Sequence, residues 1–101
     1  MNRCLILVDL QNDYFPGGKM ELVGMEGAAA NAQRLLNEFR RAKSPVIHIR
    51  HISVQPGATF FLPETVGAEI NRVVAPRADE MVVVKNFPNS FRHLSAGNPE
   101  K

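Results

Sequence analysis

Leu5-Ile6-Leu7-Val8-Asp9-Leu10-Gln11-Asn12-Asp13-Tyr14-Phe15 is the stretch that decides the fold of this 101-residue chain. Its first four residues form a short apolar run rich in branched side chains, the signature of a buried strand. The strand delivers a carboxylate, Asp9, to its carboxyl end. In open parallel α/β sheets the crevice beyond the strand ends is where ligands bind. An acid placed there is costly unless it has a partner or a task. A second apolar run, Met81-Val82-Val83-Val84, ends in Lys85. An acid and a base at the tips of two core strands form the pattern of a catalytic pair.

Between these runs the chain alternates helix and strand signals. Phe15-Pro16-Gly17-Gly18 marks a turn, and a loop through Gly24 and Gly27 leads to a helix expected over Ala28–Lys43. Ala28, Ala32, Leu35, Leu36 and Phe39 recur at helical spacing, and Ser44-Pro45 ends the pattern. Val46 to Ser53 reads as a second strand. A helix between two such strands is a crossover that makes them parallel. Gln55 to Pro63 reads as a loop carrying Phe60 and Phe61. Over Glu64–Ala75 the spacing of Val66, Ile70, Val73 and Val74 fits a short helix that Gly67 weakens. From about residue 93 the pattern is that of a frayed end. The expected class is α/β, a single domain over residues 1–101.

Composition narrows the function. A net charge of +2, without a basic run, gives no electrostatic argument for nucleic acid. No stretch approaches the ~20 apolar residues that span a bilayer, and the N-terminus lacks a signal-peptide pattern, so a cytoplasmic location is expected. A single cysteine, Cys4, excludes an intrachain disulfide and a cysteine-based zinc site.

The residues also carry a resemblance. Val8-Asp9-Leu10-Gln11-Asn12-Asp13-Tyr14-Phe15 and Val84-Lys85-Asn86-Phe87-Pro88-Asn89-Ser90-Phe91 resemble, in order, two signatures of the isochorismatase-like cysteine hydrolases. Pro56 to Pro63, with Gly67-Ala68-Glu69-Ile70, resembles a substrate-side loop of one bacterial branch. The resemblance implies a three-layer, doubly wound parallel sheet, apparently truncated. It also implies hydrolysis of small amides or carbamates by a cysteine, an aspartate and a lysine. Asp9 would then be the base and Lys85 the cation that keeps it ionised.

The nucleophile of that family lies downstream of the matched part, so the chain carries two members of the triad. Cys4 does not substitute. It precedes Asp9 by five residues, ~16 Å along a strand, with opposite parity. It reads as a small core or strand-edge residue. His48 and His51, offset by three on a strand, face opposite sides and lack the Asp-x-His arrangement of metal-binding relatives. With His93 in the tail, neither a metal nor another cofactor is expected. Phe15, Phe60, Phe61 and His51 are candidates for the wall of a small-molecule pocket.

Two readings follow. One is a hydrolase of small C–N substrates whose cysteine is absent from this chain, inactive in isolation. The other is a non-catalytic fragment or oligomer-forming interaction subunit. A flavodoxin-like ligand-binding domain ranks lower, because no phosphate-cradling loop follows the first strand. The resemblance places the first strand centrally, so three strands and one helix would leave a strand edge and an apolar face open. A homo-oligomer or a complementing chain is therefore the expected partner, besides a small-molecule substrate.

Overall fold

The structure, a computed structural model, describes residues 3–86. Three strands, β1 (Leu5–Val8), β2 (Val46–His51) and β3 (Met81–Lys85), pair in parallel in the order β1-β2-β3. The register aligns Leu5 with Val46 and Val8 with Ile49, then Ile47 with Met81 and His51 with Lys85. All three carboxyl ends therefore point the same way. β2 is central and β1 lies at an edge.

A single helix, α1 (Met25–Arg41), connects β1 to β2. It begins three residues earlier than the periodicity suggested, so Gly27 lies inside it. Gly24 turns the chain in from the left-handed region at φ 79°. The buried stripe is Ala29, Leu36 and Phe39, with Ala32 packed beside it. Leu35 and Ala28, counted toward that stripe from sequence, face solvent. Glu26 in the first turn and Arg40 and Arg41 in the last complement the helix dipole. Lys43, at φ 58°, then takes the left-handed conformation usual for a residue that ends a helix.

Helix α1 covers one face of the sheet. Leu36 and Phe39 close over Leu7 and Val46, and Val74 completes the cluster. Each such side chain contributes about 1.5–3 kcal/mol on burial. The opposite face carries Ile6, Val8, Ile47, Ile49, Met81 and Val83 by the alternation of the paired strands. There Ile6, Val8 and Met81 remain 53%, 44% and 58% exposed.

The segment expected as a short helix over Glu64–Ala75 is instead two 3₁₀ turns, Val66–Ala68 and Arg72–Val74. Neither is long enough for a helical stripe, and both are tied to β1's exit. Asn71 donates to the Leu10 carbonyl, Asn12 donates to Glu69, and Gln11 bridges antiparallel to Ile70. β2 ends at His51 rather than Ser53. The Gln11 side chain takes over there, accepting from the His51 amide and donating to the His51 and Ala68 carbonyls at 2.7–2.8 Å.

Candidate active site

Asp9 and Lys85 meet at the carboxyl end of the sheet, with Lys85 Nζ donating to Asp9 Oδ2 at 3.1 Å. Their strands are not neighbours: β2 runs between them. Two strand spacings amount to about 10 Å. The gap closes for two reasons. Lysine has a long flexible stem that can cross the end of β2. Asp9 sits at φ 60°, which breaks the strand alternation just past Val8 and re-aims its carboxylate. Such left-handed backbone at a non-glycine residue costs about 1–2 kcal/mol and concentrates at functional sites.

The carboxylate is asymmetrically satisfied. Oδ2 has the lysine, whereas Oδ1 is buried with no hydrogen-bond donor among the described residues. Lys85 is 1% exposed and level with His51 in the register. The buried His51 ring lies in the field of both charges. Burial lowers its pKa, Lys85 acts in the same direction and Asp9 opposes, so the imidazole is held neutral at pH 7.

An aromatic group adjoins this pair. The His51 ring stands 5.5 Å from Phe61, Phe61 stands 5.0 Å from Phe60, and Tyr14 meets Phe61 edge-on at 4.8 Å. Phe61 itself has φ 57°. Asp13 holds that geometry: its buried carboxylate accepts from the Phe61 amide at 2.6 Å and the Lys19 amide at 3.2 Å. Ser53 donates to the Phe61 carbonyl at 2.8 Å. Gly67 is glycine because any Cβ there would overlap the Asp13 carboxylate.

The structure thus brings Asp9, Lys85, His51, Phe60 and Phe61 to one end of the sheet and sets Phe15 apart. Phe15 is buried beside Ala29, Glu26 and Asn71, on the α1 side. Tyr14, which sequence reasoning passed over, takes the place expected of Phe15. Its phenol is close enough to Asp9 that the carboxylate, after burial, raises its pKa. Gln11 and Asp13 were also missed as organisers. The signal was present, because Gln11, Asn12 and Asp13, consecutive polar residues just past a core strand, need partners.

Cys4, expected in the core or at a strand edge, is exposed before β1. His48 faces α1, with Nε2 2.8 Å from Glu80 Oε1. Among the described residues no group of three or more His, Cys, Asp or Glu side chains could hold a metal ion, and no helix is long and apolar enough to cross a membrane. A cavity of about 580 Å³, lined by Arg40, Lys43, Arg77 and Asp79 among others, opens at the other end of the sheet, beside the start of β2.

A parallel α/β sheet with an acid–base pair across its carboxyl ends places that pair where open sheets of this kind bind ligands. Comparison makes the class specific. The isochorismatase domain family matches residues 3–96, and this chain belongs to that family. It is 50% identical over 91 residues to the uncharacterized isochorismatase family protein YddQ of Bacillus subtilis (strain 168), covering 90% of this chain and 51% of YddQ. Among solved structures, an Oleispira antarctica protein described as an isochorismatase hydrolase superposes with a TM-score of 0.85 at 44% identity, over 93% of this chain and 52% of that one. A cysteine hydrolase from Pseudomonas syringae pv. phaseolicola 1448A superposes with a TM-score of 0.79 at 25% identity, over 94% and 53%. The chain spans about half the length of the relatives it matches.

Proposed function

We propose that this chain supplies the acid–base half of a cysteine-hydrolase site that cleaves a small amide or carbamate. The observation that carries the reading is Asp9 Oδ1, buried with no donor among the described residues beside an oxygen already held by Lys85. A buried acceptor without a donor costs about 1–3 kcal/mol. At a strand tip that cost is accounted for if Oδ1 receives a proton during the reaction.

The thiol in this scheme comes from the remaining half of the fold. Asp9 takes its proton, and the thiolate attacks the substrate's carbonyl carbon. Collapse of the tetrahedral intermediate breaks the C–N bond, and Asp9 returns the proton to the departing nitrogen. A water then gives its proton to Asp9 and its oxygen to the thioester carbon. The acid product leaves, and Asp9 returns the proton to the thiolate. Lys85 holds Oδ2 in place between these transfers and favours negative charge nearby. A neutral His51 and the faces of Tyr14 and Phe60 suit a small, uncharged, partly apolar substrate.

The test is reconstitution. The chain is mixed with a polypeptide supplying the rest of YddQ, and release of ammonia or amine from nicotinamide and simple carboxamides is followed. Hydrolysis that survives Cys4→Ala and disappears with Asp9→Asn is the expected result. Activity of the isolated chain that is lost on Cys4→Ala overturns it. Activity unaffected by Asp9→Asn leaves the pair as a buried ion pair in an interaction subunit.

A further inference from the structure

Tyr14 is held firmly everywhere except at its hydroxyl. Its amide donates to the Gln11 carbonyl at 3.1 Å, and its carbonyl accepts from the Leu22 amide at 2.9 Å. The half-buried ring meets Phe61 edge-on at 4.8 Å and stands 6.5 Å from Phe60. The phenolic oxygen, by contrast, makes no hydrogen bond to any described residue. A phenylalanine would pack as well, so packing does not account for the hydroxyl. Asp9 is close enough to act on the phenol, yet the two do not bond, because Asp9 Oδ1 has no donor among the described residues. Burial and that carboxylate both keep the phenol protonated at neutral pH, so the group is a donor and not a phenolate. His51 also stands on Phe61, at 5.5 Å, and also lies in the field of Asp9. Tyr14, His51 and Asp9 therefore border one space around Phe61.

We propose that the Tyr14 hydroxyl is a specificity-determining donor: it selects amides or carbamates that carry a second, neutral hydrogen-bond acceptor away from the scissile group. The proposal rests on the reading of Asp9 and Lys85 as half of a hydrolytic site. In that reading the scissile carbon lies within reach of Asp9 and of a thiol supplied by the rest of the fold. Tyr14 belongs instead to the wall this chain completes by itself, where the Asp13 carboxylate, packed against Gly67, holds the Phe61 amide. Its donor therefore meets the non-reacting end of the substrate. The acceptor is neutral, an ether oxygen or a ring nitrogen, because the nearby Asp9 carboxylate repels an anionic one. A phenol already fixed through its backbone and its ring loses little freedom when it binds.

The test offers matched carboxamides to the chain mixed with the remaining half of YddQ. Benzamide is set against picolinamide, nicotinamide and isonicotinamide, which carry a ring nitrogen at each position in turn. Pentanamide is set against 3-methoxypropanamide, in which an ether oxygen replaces one methylene. At least one acceptor-bearing amide should exceed its isostere in kcat/KM by about tenfold, through KM. Tyr14→Phe keeps the ring and should remove that preference while leaving benzamide and pentanamide unchanged. Binding is read apart from chemistry by the carbon-13 resonance of Tyr14 Cζ, a single signal because this chain has one tyrosine and only this chain is labelled. The resonance should shift with an acceptor-bearing amide and not with its isostere. That shift without turnover leaves the Tyr14 donor standing and removes the hydrolytic reading instead. An equal loss on every substrate with Tyr14→Phe assigns the hydroxyl to the scissile carbonyl and overturns the proposal. So does a preference that is absent or survives Tyr14→Phe, and so does a resonance indifferent to every acceptor, which leaves the hydroxyl to water alone.

Discussion

Lys85 reaches Asp9 over the end of an intervening strand, and it satisfies only one of the two carboxylate oxygens. The relationship separates two contributions of Asp9, its charge and its left-handed backbone. Asparagine adopts that backbone readily and can still accept from Lys85. Alanine can do neither. Asp9→Asn should therefore keep the urea midpoint near that of the parent chain while lowering hydrolysis in the reconstituted protein by about a hundredfold or more. Asp9→Ala should lose the activity and, in addition, about 1–2 kcal/mol of stability.

Glu80 anchors a second charged cluster at the other end of the sheet. Arg40 donates to both of its oxygens at 2.6 and 2.8 Å, and the Arg77 amide and His48 complete the set. The Arg40 hydrogen bonds, chiefly, hold the Glu80 carboxyl down to about 2 against the opposing effect of burial. A depressed carboxylate stabilises the fold above its unfolded value, and the contribution fades as pH falls through the folded one. A shift of this size corresponds to about 3 kcal/mol. Denaturant melts should lose that stability between about pH 5 and pH 2. Glu80→Gln should start less stable at neutral pH and show a flatter acid limb.

The strands and the acid–base pair were legible because apolar runs ending in a charge are local signals. The path of the chain between them was not. β1 and β3 look adjacent on the page because both end in a charged residue, yet the order that separates them by β2 is a tertiary outcome. Gln11, Asp13 and Tyr14 were overlooked for a related reason. Their partners, His51, Phe61 and Ala68, lie some 40 or more positions away. Phe15 and Tyr14 could be told apart only once the 3₁₀ turn Asn12–Tyr14 set which ring faces the sheet end.

Asp13 and Gly67 should couple strongly. Gly67→Ala drives a methyl group into the Asp13 carboxylate and should cost about 1–3 kcal/mol. Asp13→Ala strands the buried Phe61 amide and should cost a similar amount. The double variant has room for the methyl, so the two losses should fall short of additivity by at least about 1 kcal/mol. Additive losses in a double-mutant cycle would mean the Asp13–Gly67 contact does not set the loop.

Tyr14 is the only tyrosine in a chain without tryptophan, so its ionisation can be read directly from near-ultraviolet absorbance. Burial, and then the Asp9 carboxylate, push its pKa above the usual 10. Deprotonation creates a phenolate, and a nearby anion disfavours it. Asp9→Asn removes that anion and leaves the burial, so the midpoint should fall part of the way back. Lys85→Met keeps the Asp9 charge and removes a nearby cation, so it should not lower the midpoint. A Tyr14 titration indifferent to Asp9→Asn would place the phenol outside the reach of the carboxylate, and Tyr14 would then drop out of the candidate site.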